Sequence, residues 1–405
     1  MRLSRDPAAR RRLALLVGAA FAAFVAGVAV GAGGDDQKTG PEPAEVAEQV
    51  QEERRERALA AVDRLTLRQQ VGQLIVSSFP DPAPPDYIRR RLRAGETAGV
   101  ILFGFNAGGP DEWRRLTGAV QRHARGDALV MVDQEGGEIR TVSWAGPAAG
   151  QPLQGDAAAV RRSARAAGRQ LSRAGVNVNL APVADAPGGA APVMGFRAFD
   201  GDASGIAART RASIEGMRAA GVAATAKHFP GLGRAQVNTD DGSALVTGRL
   251  TADLLPFRSA IDAGTPLIML SHALYPELDP NRIASQSRST VTGLLRERLG
   301  YEGVIVTDSI EAQAVLDRSG VARAAERSLR AGVDLILTTG SASWNLIHPW
   351  LLREARASPA FRKRVRQSAS RVIALKDRLA ASTLLVPSRK RSARPSARGF
   401  GSGAD

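Results

Sequence analysis

No cysteine occurs among the 405 residues. That excludes a disulfide framework, a thiolate metal site, a cysteine nucleophile and an N-terminal lipid-modified cysteine. Histidine is nearly as scarce, with only His123, His228, His272 and His348. So few ligands of that kind argue against a zinc site, and nothing else implies a metal or an organic cofactor. Lysine is the next shortage: five against fifty arginines, one of the five being Lys227. Aromatic residues make up 4% of the chain and are not interleaved with the basic runs, as a nucleic-acid groove would require. The net charge of +15 therefore does not point to nucleic acid, because the basic residues gather at Arg2–Arg12 and Arg389–Arg398.

Leu13–Ala32 is a charge-free run of 20 residues behind an Arg-rich start. A basic segment before an apolar run reads as an export signal, and this run is also long enough to span a bilayer. Residues 1–34 are thus expected to be a cleaved signal peptide or a membrane anchor through residues 13–32, with the rest of the chain outside. Residues 35–60 read as a linker leading into a solvated helix. Residues 386–405 are expected to be a disordered basic tail. A hydrophobic fraction of 44% leaves ample material for a core between these ends.

Across residues 61–385, short apolar runs alternate with amphipathic stretches. Strands are expected at Gln73–Phe79, Gly99–Phe103, Leu129–Val132, Val176–Ala181, Val222–Lys227, Leu267–Ser271, Gly303–Thr307 and Asp334–Thr338. Helices are expected between them, as at Asp156–Ala174, Ala208–Ala220, Thr290–Leu299 and Gly320–Ala331. Near-continuous apolar strands describe parallel strands buried on both faces, and eight of them close an α/β TIM (β/α)₈ barrel as a single catalytic domain. A doubly wound open sheet is the alternative. It calls for a Gly-rich phosphate loop after the first strand, where Ser77-Ser-Phe-Pro-Asp-Pro stands instead.

The strand ends carry the chemistry, because a TIM barrel places its active site there. Asp133-Gln-Glu-Gly-Gly-Glu-Ile-Arg140 follows the third run, Pro182-Val-Ala-Asp185 the fourth with Arg197 beyond it, and Lys227-His-Phe-Pro-Gly the fifth. Ser271-His272 ends the sixth and Asp308 the seventh. Buried charges in register on one rim must be paired or used. Ion pairs that merely tie the rim together are one reading, and a binding site is the other.

Asp133-Gln-Glu-Gly-Gly, Lys227-His-Phe-Pro-Gly and Gly303-Val-Ile-Val-Thr-Asp308, in this order, resemble glycoside hydrolase family 3, in the branch of single-domain β-N-acetylglucosaminidases (β-N-acetylhexosaminidases). The resemblance runs from about Leu65 to Gly340. It implies a monomeric retaining β-glycosidase acting on a carbohydrate substrate, with Asp308 as the nucleophile. It also implies that Asp133, Arg140, Arg197, Lys227 and His228 hold the terminal sugar. His272 is read either as a further sugar contact or as a core histidine.

One departure stands out. The branch carries an Asp-Ser-His triplet in the loop after the fifth strand, its His being the general acid/base. Here Asn238-Thr-Asp240 occupies the triplet, and no other histidine is placed to substitute. Asp240 or Asp241 then becomes the candidate acid, each raising the other's pKa as adjacent like charges. A slow enzyme dependent on activated substrates, a β-glucosidase-like hydrolase and a non-catalytic sugar-binding relative remain as alternatives. The substrate implied is a terminal N-acetylglucosamine of cell-wall or chitin-type oligosaccharides.

Overall fold

The computed structural model describes residues 43–186, 188 and 193–385. Residues 1–34, expected to be a signal or anchor, and the expected tail 386–405 lie outside the described residues. The described residues from Glu53 onward fall in one compact unit. Among the described residues no helix is long and apolar enough to cross a membrane. The expected solvated helix is present as Pro43–Asp63, whose last turns bury Ala58 and Val62.

Eight parallel strands close a barrel: β1 (Ile75–Ser77), β2 (Gly99–Ile101), β3 (Leu129–Val132), β4 (Val178–Asn179), β5 (Ala223–Phe229), β6 (Leu267–Leu270), β7 (Val304–Ser309) and β8 (Leu335–Leu337). Neighbours in the barrel are neighbours in the chain, and β8 returns to β1 through Ile75↔Ile336. This is the TIM barrel. The apolar runs form strands because each is short and covered on both faces, most being rich in Val, Ile and Leu and the fifth, Ala223–Phe229, in Ala instead.

Two boundaries move for local reasons. Gln73, expected in β1, instead ends the helix Leu67–Gly72, where its side chain bonds the Gly95 carbonyl at 3.0 Å. The helix after β4 starts at Ala203, five residues early, because Asp202 caps it by accepting the Gly205 N–H at 2.8 Å.

Side chains of alternate strand residues fill the barrel, among them Ile101, Met131, Leu180, Met269 and Val306. Val372, Leu375 and Leu379 of the helix Pro359–Leu385 join the same cluster and so plug one end. Buried Asp334, just before β8, secures that helix: it accepts from Arg364 at 2.8 Å, Arg371 at 3.2 Å and Ser368 at 3.2 Å. It also pairs with Arg296 and accepts the Ile305 N–H at 3.1 Å. With one end plugged, the C-terminal ends of the strands form the open face.

Candidate active site

The open face holds a cavity of about 640 Å³ lined by Asp133, Glu135, Arg140, Arg197, Lys227, His228, Asp240 and Asp308, with Phe103, Leu232 and Asn238 among its walls. Asp133, Lys227, His228 and Asp308, from three different strand ends, thus converge at one end of the barrel. Asp240 and Asp241 are both exposed to solvent, but Asp241 does not line the cavity. Of the two adjacent aspartates, Asp240 is the one that faces the cavity.

Lys227 and His228 are the last polar residues of β5 and are both buried. The Lys227 ammonium lies 2.7 Å from Asp133 and 2.6 Å from Glu135. Arg197 grips the same Glu135 with two bonds, at 2.7 and 3.0 Å. Burial works to raise the Glu135 carboxyl, but Lys227 and Arg197 reverse this and hold it down at about 2. Glu135 is therefore an ionised pillar that fixes two cations at the cavity wall. The Asp133-Gln-Glu-Gly-Gly segment turns here as a short hairpin, Gln134–Gly136 with Ile139–Arg140. Gly136 has φ +109, and a Cβ there would sit 2.3 Å from the Ala149 carbonyl oxygen, so no other residue fits. Arg140 closes this hairpin, and its side chain makes no ion pair or hydrogen bond among the described residues.

His228 is oriented from behind. Its Nδ1 lies 2.8 Å from Asp185, a fully buried carboxylate that also accepts the backbone N–H of His228 at 3.1 Å and of Leu232 at 2.7 Å. Its Nε2 faces Asp308 at 3.6 Å. Asp308 is the last residue but one of β7, its side chain 19% exposed, into the cavity. Burial tends to raise the Asp308 carboxyl, but the His228 and His272 rings, the Lys227 ammonium and the Ser309 N–H, at 2.7 Å, leave it below its ordinary value. An ionised carboxylate at the base of a polar cavity is what a nucleophile requires.

Asp240 is moved the other way. Loss of water on its cavity side and the charge of Asp308 raise its carboxyl, against the pull of His228 and Arg197. Two carboxyl groups pushed apart in one cavity is the pattern of an acid and a nucleophile. The Asp240 loop is built for position: Asn238 Oδ1 accepts the Asp240 N–H at 3.2 Å. The carbonyls of Thr239 and Asp240 accept the N–H groups of Ala314 and Gln313 at 3.1 and 3.2 Å. The acid loop is thereby tied to the segment that follows Asp308.

The expectation of a sugar contact fails for His272. It is fully buried, lies outside the lining, and spends both ring nitrogens inside the protein. Nε2 donates to the Ser309 carbonyl at 3.0 Å, which assigns Nδ1 as acceptor from Ser285 at 2.7 Å. Burial lowers its pKa, so the ring is neutral. It braces the backbone next to Asp308. Glu135 and Asp185, conversely, were visible at strand ends but received no role from sequence alone. Their signal is a carboxylate that cannot be buried without partners.

A closed barrel with a cavity at its C-terminal rim, walled by Asp308 and Asp240, fits a glycoside hydrolase. Residues 66–375 match the family model of the glycosyl hydrolase family 3 N-terminal domain, and the chain belongs to that family. An uncharacterized secreted glycosyl hydrolase of Arthroderma benhamiae is 33% identical over 341 residues, spanning 78% of this chain and 95% of the relative. A beta-hexosaminidase of Xanthomonas oryzae is 33% identical over 279 residues, 65% of this chain and 80% of that protein. Among solved structures, a family 3 beta-N-acetylglucosaminidase from a Paenibacillus species superposes with a TM-score of 0.74 at 32% identity. The match covers 84% of this chain and 65% of that one, a little under two thirds of its length. A beta-N-acetylhexosaminidase from Beutenbergia cavernae superposes with a TM-score of 0.70 at 32% identity, covering 77% of this chain and 99% of that one.

Proposed function

We propose that this glycoside hydrolase is an exported, retaining β-N-acetylhexosaminidase that removes terminal β-linked N-acetylglucosamine from cell-wall or chitin-type oligosaccharides. The observation that carries the reading is the cavity that Asp308 and Asp240 share with the paired cations Lys227 and Arg197, and the opposite pKa directions of the two carboxyls agree with it. The named activities of the relatives support the choice of sugar. Delivery across a membrane rests on the charge-free run Leu13–Ala32 behind its arginines.

In the first step Asp308 attacks the anomeric carbon, the glycosidic C–O bond breaks, and Asp240 gives its proton to the departing oxygen. In the second, water attacks the glycosyl-enzyme while Asp240 takes the proton back, and the Asp308 carboxylate is released. Asp133, Arg140, Arg197, Lys227 and His228 hold the terminal ring through its hydroxyls. Asp240 at the position of the branch's histidine favours one competing reading, a sugar binder without turnover. A screen with nitrophenyl β-N-acetylglucosaminide and nitrophenyl β-glucoside separates the readings. Hydrolysis of the first in preference to the second supports the assignment. Reversed preference makes the protein a β-glucosidase, and hydrolysis of neither, with N-acetylglucosamine bound, makes it a binder.

A further inference from the structure

One large apolar side chain stands at the rim of the active-site cavity with no core to join. Phe105 is 66% exposed, and a single exposed aromatic means little by itself. Its placement is another matter. The Phe105 ring stacks on Phe103, with centroids 5.4 Å apart and planes 23° from parallel. Phe103 and Gly104 both line the cavity. The Phe105 ring therefore extends, on its exposed side, the aromatic wall that Phe103 begins at the cavity.

The turn that presents Phe105 is firmly held. Asn106, 1% exposed, accepts the Phe103 N–H at 2.8 Å and donates to the carbonyls of Phe79 at 2.9 Å and Asp81 at 2.8 Å. Three hydrogen bonds of a buried amide fix the short helical turn Gly104–Asn106, so the exposure of Phe105 is imposed by the fold. On its other side the turn meets the hairpin, since a Cβ on Gly104 would lie 3.5 Å from the Thr141 carbonyl. That hairpin brings Glu138 and Arg140 into the cavity wall, and neither side chain forms an ion pair or hydrogen bond among the described residues. A flat apolar face near an unengaged carboxylate matches a pyranose ring. The C–H face of the sugar lies on the aromatic, and a hydroxyl reaches the Glu138 carboxylate.

We infer that Phe105, stacked on Phe103 with Glu138 in the adjoining cavity wall, is the platform for the leaving-group saccharide, and so selects substrates whose departing group is a sugar ring. This rests on the reading of the cavity as the terminal-sugar site. The platform is a specificity determinant outside the reacting groups, and its test needs no turnover.

Wild type, Phe105→Ala and Phe105→Trp are titrated calorimetrically with N-acetylglucosamine and with its thio-linked disaccharide, which resists hydrolysis. Wild type is expected to bind the disaccharide more tightly than the monosaccharide. Phe105→Ala is expected to shrink that preference by about tenfold, with monosaccharide affinity within about twofold of wild type. Phe105→Trp is expected to keep the preference. The same preference in wild type and Phe105→Ala overturns the platform, and so does an equal loss for both ligands. If neither sugar binds, the terminal-sugar site falls and the platform with it. If the preference behaves as expected but no glycoside is hydrolysed, only the hydrolase mechanism fails.

Discussion

The Asp185 carboxylate holds Nδ1 of His228 at 2.8 Å. The contact sets the direction of the opposite ring nitrogen, which faces Asp308. Asp185 is itself fixed by two backbone N–H groups, so the ring has one available orientation.

Asp185→Asn keeps the size of this side chain but removes its charge and one acceptor. A hydrogen bond to a charged group contributes about 1.5–3 kcal/mol, so kcat/KM is expected to fall about 10–100-fold. Because His228 also lowers the Asp308 carboxyl, the acid limb of the pH profile is expected to move to higher pH. A loss of thermal stability with an unchanged profile counts against this positioning role.

Asp240 is expected to act as the acid and then as the base, and its removal should hurt substrates unequally. Nitrophenolate leaves with little protonation, whereas a sugar alkoxide needs the proton. Asp240→Ala should therefore cost natural disaccharides about 10²–10⁴-fold more than activated substrates. Azide should restore turnover of the activated substrate by replacing the missing base. Wild-type activity should fall on the alkaline side at a pH above the ordinary carboxylate range, since burial and Asp308 raise this carboxyl. Asp240→Asn should abolish that limb. Asp241→Ala, altering a residue outside the cavity, should change little.

Acid stability follows from Glu135. Its carboxyl moves from 4.5 in the unfolded chain to about 2 in the fold. A depressed carboxyl stabilises the fold above its unfolded pKa, and that stability is lost as pH falls toward the folded value. Melting temperature should hold above about pH 5 and drop between about pH 4.5 and 2. Glu135→Gln should flatten this region while costing about 3–5 kcal/mol, because Lys227 and Arg197 lose their shared buried partner. Asp334→Asn should cost a similar amount at the other end of the barrel, leaving the pH profile of activity unchanged.

Much of the fold was readable because each barrel strand is a short, mostly apolar run between helical stretches. Those local signals survive in the structure at all eight places. What local patterning could not show was partnership. Glu135 and Arg197 are 62 residues apart, and nothing near either names the other. His272 at a strand end carried the same signal as His228 at another. Only three-dimensional packing separates them, with Ser285 and the Ser309 carbonyl consuming both nitrogens of His272. The sequence put Asp240 at the histidine's position but left Asp241 open as the acid, until the Asn238 turn placed Asp240 in the cavity.

The central claim is that Asp308 becomes covalently bonded to the sugar. A fluorinated N-acetylglucosaminyl substrate that forms the glycosyl-enzyme but slows its hydrolysis tests this directly. Peptide mass spectrometry of the inactivated protein is expected to find one sugar adduct, on Asp308, and Asp308→Ala should bind the sugar yet neither turn over nor label. An adduct on Asp240 or any other residue, or turnover persisting in Asp308→Ala, contradicts the account.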